Sequence, residues 1–227
     1  MPNTVVLVSS WDRNKRLWPV VKHSFDKYWS DCPYPIYFIT NFENAPIGKT
    51  ITVGKECGWA SNTLNALKTF ECKNIIWMLD DYWFSGPINN VIKKYVLYVD
   101  QGKTSYIRLM PSAIETRLPF QYDSSLHHYP MNSPHKTSLG PSIWNKDLLQ
   151  RLILPEENIW NFEGEAVNRT TRQDVFLFAV DNRFFRIAGP HYPNSPYTEQ
   201  MMVRGQLTLS AYQYFQNEGI VFEDKNS

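Results

Sequence analysis

The chain has 227 residues, of which 43% are hydrophobic and 20% are charged, so it has enough apolar material for a folded core. Its 23 lysines and arginines are balanced by 22 aspartates and glutamates, for a formal net charge of +1. The chain has no basic excess to hold a phosphate backbone through counterion release, so we expect no nucleic acid as the main partner.

The sequence shows no export signal and no membrane segment. Residues 1–8 lack the basic part of a signal peptide, and no stretch approaches the ~20 apolar residues that cross a bilayer. We therefore expect a cytoplasmic protein without a transmembrane segment. Cys32, Cys57 and Cys72 are odd in number and lack C-x-x-C spacing, so we expect reduced, buried thiols instead of disulfides or a zinc site.

Strands and helices alternate in the first part of the chain. Apolar runs predict strands at residues 5–8, 36–40, 50–53 and 74–79, and helical spacing predicts helices at residues 17–28 and 60–70. This order predicts an α/β sandwich of Rossmann-like type with a mostly parallel central sheet. Ligands of such sheets bind at the carboxyl ends of the strands, and the fourth strand ends on Asp80 and Asp81.

The second part of the chain is less regular. We predict helices at residues 88–99, 145–152 and 160–167, and strands at residues 105–110, 176–179 and 184–188. Residues 119–141 have the composition of strands and loops, and residues 189–207 that of a loop. The sequence has no internal repeat and no low-complexity linker, so we expect a single domain over residues 1–227.

Asp80 and Asp81 are adjacent carboxylates at the end of a buried strand, where they repel each other and resist burial. A divalent cation would stabilise them, because Mg²⁺ and Mn²⁺ take oxygen ligands and bridge one or two carboxylates to nucleotide phosphates. Alternatively, the two acids cap the helix predicted near residue 88 or form a salt bridge with a lysine.

The segment over residues 58–84 carries a resemblance to a known family. It combines Gly58, a helix that contains Asn62, and a hydrophobic strand that ends in Asp80-Asp81-Tyr82. This arrangement resembles nucleotide-sugar glycosyltransferases of the GT-A fold. The resemblance implies that the helix packs beneath the nucleotide and that the acidic motif holds a metal ion and the donor diphosphate. The motif reads acid-Asp-aromatic, as in small bacterial or viral glycan-building members, where others have Asp-x-Asp.

The resemblance also implies which residues contact the donor and the metal. The implied donor contacts are Ser9, Ser10, Trp11, Asp12, Asn62, Asp80, Asp81 and Tyr82. The implied metal ion, Mn²⁺ or Mg²⁺, is held by Asp81 and Asp80, and a late histidine, His191, completes its ligands.

Two later segments resemble the acceptor side of the same transferases. They are residues 139–144 and residues 156–163, and the implied acceptor or sugar contacts are Gly140, Pro141, Trp144 and Trp160. An inverting transfer needs a carboxylate that takes the proton of the acceptor hydroxyl. We assign this role to Glu163, with Glu165 and Asp174 as substitutes.

Together these residues predict an enzyme that transfers a sugar from a UDP-sugar to a hydroxyl of a glycan acceptor, with inversion. Residues 1–87 would form the nucleotide-binding half and residues 88–227 the acceptor-binding half. One alternative is a sugar-1-phosphate nucleotidyltransferase, although residues 9–14 lack the glycine- and arginine-rich loop usual in that class. Another is a noncatalytic glycan-binding module, which the missing Asp-x-Asp permits.

Overall fold

The first four strands lie side by side and run parallel. They are β1 (Thr4–Ser9), β2 (Ile36–Thr40), β3 (Lys49–Thr52) and β4 (Asn74–Leu79), in the spatial order β3-β2-β1-β4. All six side chains of β1 are buried, because helices cover both faces of the sheet. The computed structural model describes residues 2–84, 86–112, 118–134, 136–180, 185–187, 202–203, 206–207 and 209–221.

Five of the nine later strands that the structure describes extend this sheet, and the other four form two separate pairs. These nine strands are β5 (Tyr82–Phe84), β6 (Tyr106–Arg108), β7 (Pro119–Phe120), β8 (Asp123–His128), β9 (Ser142–Asn145), β10 (Phe176–Ala179), β11 (Phe185–Ile187), β12 (Met202–Val203) and β13 (Gln206–Leu207). The nine-stranded sheet has the order β3-β2-β1-β4-β9-β6-β10-β8-β7, while β5 pairs with β11 and β12 with β13. Strand β9 runs antiparallel to both β4 and β6, so β4 and β6 point in the same direction.

Helices pack on both faces of the sheet. They are α1 (Trp18–Tyr28), α2 (Trp59–Leu67), α3 (Asn89–Asp100), α4 (Lys146–Leu152), α5 (Ile159–Glu165) and α6 (Leu209–Glu218), with 3₁₀ turns at Asp12–Leu17 and Ala166–Arg169. Apolar residues of α1, α3 and α6 pack on one face, and those of α2, α4 and α5 on the other. Asn145 and Asn158 cap α4 and α5 by accepting hydrogen bonds from Leu148 N and Asn161 N.

The architecture confirms the predicted single α/β domain with a mostly parallel sheet. Strand β5 and helix α6 were not predicted, and β12 and β13 lie within the stretch expected to be loop. The cysteines form no disulfide, but Cys57 is exposed and the other two are half-buried, so the expectation of buried thiols was wrong. None of the helices in the described part of the chain is long and apolar enough to cross a membrane.

Gly48 joins the two outer strands β2 and β3 under a steric constraint. Its φ is +66°, and a Cβ there would overlap the backbone carbonyl of Ile36. Gly54 has a similar φ of +76° but open space around it, which makes it a matched control.

Gly54→Ala should lower the free energy of unfolding by about 1 kcal/mol through the backbone conformation alone. Gly48→Ala should lower it by at least about 1 kcal/mol more, because the steric overlap adds to the conformational effect. Urea denaturation of both variants measures the difference, and equal losses would contradict the steric argument.

Candidate functional site

The candidate site lies where the connections of the sheet diverge. From β1 the chain moves to β2 and β3 on one side, whereas β4 lies on the other side of β1. Such a switch point leaves a crevice at the carboxyl ends of the strands. The pairing of Ser9 with Leu79 places Ser10 next to Asp80 at this crevice. A cavity of about 340 Å³ opens there, lined by Ser9, Ser10, Trp11, Asn14, Ile39, Glu56, Trp59, Asn62, Thr63, Leu79, Asp80, Asp81 and Ile159.

Asp80 is held by hydrogen bonds from the segment that follows β1. Its side chain is 4% exposed, and it accepts hydrogen bonds from Ser10 Oγ and, at 3.2 Å, from Asn14 Nδ2. The Trp18 indole nitrogen in turn donates to Ser10 Oγ at 2.8 Å. Burial raises the pKa of the Asp80 carboxyl, and the hydrogen bonds from Ser10 and Asn14 oppose that rise. Both carboxylate oxygens of Asp80 therefore already accept hydrogen bonds from the protein.

Asp81 differs from Asp80 in its lack of partners. Its Oδ1 is buried and has no hydrogen-bond partner among the residues that the structure describes. Burial raises the pKa of the Asp81 carboxyl well above its ordinary value, and the negative charge of Asp80 adds to the rise. Asp81 lines the cavity, and a buried carboxylate oxygen without a partner calls for a cationic or hydrogen-bonding ligand.

The helix-cap and salt-bridge alternatives for the two acids do not hold. Helix α3 begins at Asn89, with Ile88 at its N-cap position and no capping side chain. Neither acid takes part in any of the ion pairs found among the described residues. The acids thus line the cavity without a positively charged partner from the described part of the chain.

The donor set fits a cation that keeps much of its hydration. No cluster of three metal-ligating side chains occurs among the described residues. A Mg²⁺ or Mn²⁺ ion shared with substrate phosphates needs only one or two carboxylates, since water and phosphate oxygens supply the other ligands. Asp81, with its unpartnered oxygen, fits that role better than Asp80, whose oxygens already accept hydrogen bonds. His191, the third predicted ligand, lies outside the described residues.

A second polar network forms the opposite wall of the cavity. Glu56 Oε1 accepts hydrogen bonds from Asn62 Nδ2 at 2.8 Å and from Gly58 N at 2.9 Å, and Glu56 Oε2 accepts one from Asn41 Nδ2 at 3.1 Å. The Asp12 carboxylate accepts from the backbone nitrogens of Asn41 and Phe42, both at 2.9 Å. These bonds tie the segments after β1 and β2 to the start of α2.

Six of the eight predicted donor contacts line this same cavity: Ser9, Ser10, Trp11, Asn62, Asp80 and Asp81. Asp12 does not, because its carboxylate is taken up by the backbone of residues 41–42, so it positions the wall of the cavity instead of contacting a ligand. Tyr82 also lies outside the cavity lining, beyond Asp81, where its hydroxyl oxygen approaches Gly140.

A polar cluster around Glu163 lies beyond Asp81. Glu163 Oε1 accepts hydrogen bonds from Ser138 Oγ at 2.9 Å and from Leu139 N at 2.6 Å, which fixes the carboxylate against the segment before β9. The Tyr82 hydroxyl closely approaches Gly140. A Cβ added at Gly140 would lie 3.5 Å from the hydroxyl oxygen, which is an ordinary van der Waals contact. The structure thus brings together Tyr82, Gly140 and Glu163, which are distant in sequence.

Two predicted site residues lie elsewhere. Trp144 is 0% exposed in the middle of the sheet, packs on Tyr106 with ring centroids 4.3 Å apart, and donates its Nε1 hydrogen to Ser142 Oγ. It is a core residue, so the predicted sugar contact is wrong. Asp174 precedes β10, which runs parallel to β6 and hence to β4, so it lies at the opposite edge of the sheet from Asp80.

The contacts of Asp174 agree with its position. It forms an ion pair with Arg151 at 2.7 Å and accepts a hydrogen bond from Thr171 N, so it cannot act as the base. Of the other predicted residues, Glu165 is exposed on α5 and Pro141 is buried against the sheet. Trp160 is 69% exposed and follows Ile159, which lines the cavity, so it stands beside the cavity mouth.

Sequence reasoning missed Glu56, Asn14 and Trp59, all of which line the cavity. The Trp59 indole nitrogen is buried without a hydrogen-bond partner among the described residues. An available signal was the acid two residues before Gly58, at the start of a helix, since an acid there can accept hydrogen bonds from free backbone N–H groups. Asn14 gave no such signal, because its role depends on how the 3₁₀ turn after β1 folds.

The structure is similar to solved structures of TarS from S. aureus, a GT-A glycosyltransferase. For TarS 1-349 the TM-score is 0.54 at 11% identity, and for its complex with UDP it is 0.55 at 12% identity; both comparisons cover 81% of this chain and 59% of the other. For the complex with UDP-GlcNAc the TM-score is 0.54 at 10% identity, over 84% and 59% of the two chains.

The chain has the GT-A fold. The fold prediction made from residues 58–84 is thereby confirmed. The GT-A fold is shared although the chain spans only 59% of the TarS 1-349 structures and the identity is 10% to 12%. The sequence matches no protein-family model and no curated protein sequence.

The unpaired acids predict that this GT-A site lowers the stability of the protein. Asp81→Asn should raise the free energy of unfolding at about pH 8 by roughly 1 kcal/mol or more, or about 2–4 °C in the thermal midpoint, because it removes a buried charge and its repulsion with Asp80. The folded-state pKa is raised, so wild type loses stability as pH rises from the ordinary aspartate value through the raised one.

The gain from Asp81→Asn should therefore be near zero at about pH 4 and should grow toward about pH 8, as measured by thermal unfolding across that range. Glu71→Gln, at an exposed acid, is the control and should change little at any pH. A gain that does not depend on pH would contradict the assignment of the effect to the Asp81 charge.

Proposed function

We propose that this chain transfers a sugar from a UDP-sugar donor to a hydroxyl group of a glycan acceptor, with inversion at the anomeric carbon. The observation that carries the proposal is the unpaired Asp81 carboxylate in a cavity at the strand ends of a GT-A fold. The TarS structures with UDP and UDP-GlcNAc support the donor class, because those ligands bind a protein of the same fold.

The cavity suits the nucleoside part of such a donor. Its volume of about 340 Å³ falls in the range of roughly 300–1,000 Å³ typical of ligand pockets. Trp11 and Trp59 offer flat apolar surface. Ser10 and Asp80 offer oxygen atoms to ribose hydroxyls. The cavity therefore combines apolar ring surface with oxygen acceptors.

Asp81 would hold Mn²⁺ or Mg²⁺ together with the phosphates of the donor. Such an ion stabilises the charge that develops on the departing diphosphate. Asp80 would act beside it through the ribose, since its oxygens are held by Ser10 and Asn14. Assignment of residues 1–87 to the donor and of residues 88–227 to the acceptor, and location in the cytoplasm, are part of the same proposal.

Glu163 is the proposed base. Its Oε1 is fixed by Ser138 and Leu139, which leaves Oε2 to accept the proton of an acceptor hydroxyl. That hydroxyl oxygen forms a bond to the anomeric carbon while the bond from this carbon to the phosphate oxygen breaks. UDP leaves with the bonding electron pair, and the proton ends on Glu163. Trp160, exposed on the same helix, would offer its ring to the acceptor.

The metal and donor assignments predict cation-dependent UDP binding. Titration calorimetry should show UDP binding at least about 10-fold more tightly with Mn²⁺ than without it, because the ion joins the diphosphate to Asp81. Asp81→Asn should abolish this difference. Asp147→Asn, at an exposed aspartate in α4, is the matched control and should behave like wild type. Equal Mn²⁺ dependence in wild type and Asp81→Asn would contradict the metal assignment.

The base assignment predicts loss of turnover without loss of donor binding. With UDP-GlcNAc as donor and water as acceptor, Glu163→Gln should lower UDP release by about 100-fold or more, since a positioned base contributes roughly 10²–10⁴-fold. Its UDP affinity should stay within about twofold of wild type. Glu165→Gln changes an exposed glutamate of the same helix and should keep full turnover. Normal turnover of Glu163→Gln would remove Glu163 from the mechanism.

Product analysis separates the proposed transferase from the other two classes. A transferase releases UDP and free sugar from a UDP-sugar, with UDP-glucose as a second donor beside UDP-GlcNAc. Pyrophosphate from UTP and a sugar 1-phosphate would indicate a nucleotidyltransferase, and glycan binding without turnover would indicate a noncatalytic module.

A further inference from the structure

Arg108 is a positively charged residue at the end of β6, at the same edge of the sheet as Asp80. It lies on β6, where its backbone is in register with Ser142 of β9 and Phe178 of β10. Two residues before it, Tyr106 packs with the α2, α4 and α5 side of the sheet, so Arg108 belongs to the same face. The residue as a whole is half-buried, while its Nε is sealed from solvent.

Arg108 has no charged partner among the described residues. Its Nε and the Tyr129 hydroxyl lie close to each other, but both atoms are buried and neither makes a hydrogen bond of good geometry there. By contrast, Arg151 pairs with Asp174 at 2.7 Å, and Arg169 pairs with Glu157 at 2.8 Å. Burial of part of a guanidinium without a charged partner is unfavourable, so a chain that keeps one there has a reason other than packing.

The surroundings of Arg108 place it on the acceptor side of the proposed reaction centre. Arg108 is in register with Ser142, and the residue after it, Leu109, donates its backbone hydrogen to Pro141 O at 2.8 Å. The segment that directly precedes Ser142 holds the Glu163 carboxylate through Ser138 and Leu139. Arg108 therefore lies beside the segment that carries the proposed base, and it is not part of the lining of the nucleotide cavity.

We propose that Arg108 binds an anionic substituent of the substrate, a carboxylate or a phosphate group carried by the transferred sugar or by the acceptor. The guanidinium presents a planar fork of donors that matches both groups. Its place beside the segment that holds Glu163 is where the sugar and the acceptor meet under the proposed function, on which this inference rests. Arg108 thereby makes the enzyme specific for charged sugars or charged acceptors.

The first arm of the test asks whether the anion belongs to the donor sugar. Calorimetry compares UDP, UDP-glucose and UDP-glucuronic acid, the last two of which differ only in a carboxylate at C6. If the sugar carries the anion, wild type should bind UDP-glucuronic acid at least about 10-fold more tightly than UDP-glucose, as expected for a charge-assisted bidentate contact. Arg108→Met should bring the two affinities together, and Arg108→Lys should keep part of the preference.

The second arm asks whether the anion belongs to the acceptor. With the protein saturated in UDP and Mn²⁺, glucose 6-phosphate is compared with glucose. Tighter binding of the phosphate, by about 10-fold or more and lost in Arg108→Met, would assign the contact to the acceptor. Arg151→Met is the matched control in both arms, because it removes an arginine charge at the opposite edge of the sheet.

The thermal midpoint of unfolding distinguishes a substrate-binding role of Arg108 from a structural one. If Arg108 serves the substrate, Arg108→Met should leave the thermal midpoint unchanged or raise it, because a buried charge is replaced by an apolar side chain of similar length. A lowered midpoint with unchanged ligand preference would make Arg108 structural and overturn the proposal. Should Arg108→Met fail to fold, Arg108→Gln takes its place, and the wild-type comparison stands without any variant.

Three further outcomes of these experiments would overturn the inference. Normal UDP binding with no preference for the anionic ligand in either arm overturns this inference and leaves the proposed function intact. Weakened binding of UDP itself by Arg108→Met would place Arg108 on the diphosphate and overturn the inference as well. Absence of UDP binding by wild type would overturn the proposed function, and the inference with it.

Discussion

The site depends on two neighbouring carboxylates held at a buried edge of the sheet. Asp80 is supported by Ser10 and Asn14, whereas Asp81 has a buried oxygen without a partner among the described residues. No lysine or arginine of that part of the chain pairs with either acid. The repulsion between the two carboxylates is therefore not compensated within the described part of the chain, and burial strengthens it. A positively charged ligand would relieve it. The cavity opens at this point, and the Glu163 cluster and Arg108 lie at the same edge of the sheet.

Much of the fold could be predicted because its central strands are apolar and β-branched. Strands β2, β4 and β10 begin and end where the apolar runs do, and burial on both faces leaves such runs no other stable conformation. Strand β5 is a three-residue aromatic segment whose partner, β11, is about a hundred residues away along the chain, so nothing local indicates it. Helix α6 is largely polar and depends on tertiary packing.

The candidate site was predictable where topology alone brings residues together. Residues that follow β1 and β4 meet because the carboxyl ends of neighbouring parallel strands lie at the same edge of the sheet. The proximity of Ser10 and Asp80 therefore follows from the strand order alone. Trp144 and Asp174 were misjudged because proximity to a loop in the sequence does not reveal which edge or face of the sheet a residue occupies. Glu56 and Arg108 escaped notice because their roles come from neighbours that only the folded chain supplies.

The hydrogen bonds of Ser10 restrict what can bind next to it. A hydroxyl has one proton and two lone pairs; Ser10 gives its proton to Asp80 and receives one from the Trp18 indole, so a single lone pair remains. Asp80 likewise presents only acceptors. A phosphate oxygen at this spot would face atoms that also accept, whereas a sugar hydroxyl can donate to them. Under the proposed function, the polarity of this corner would therefore orient a nucleotide with its ribose toward Ser10 and its phosphates away from it.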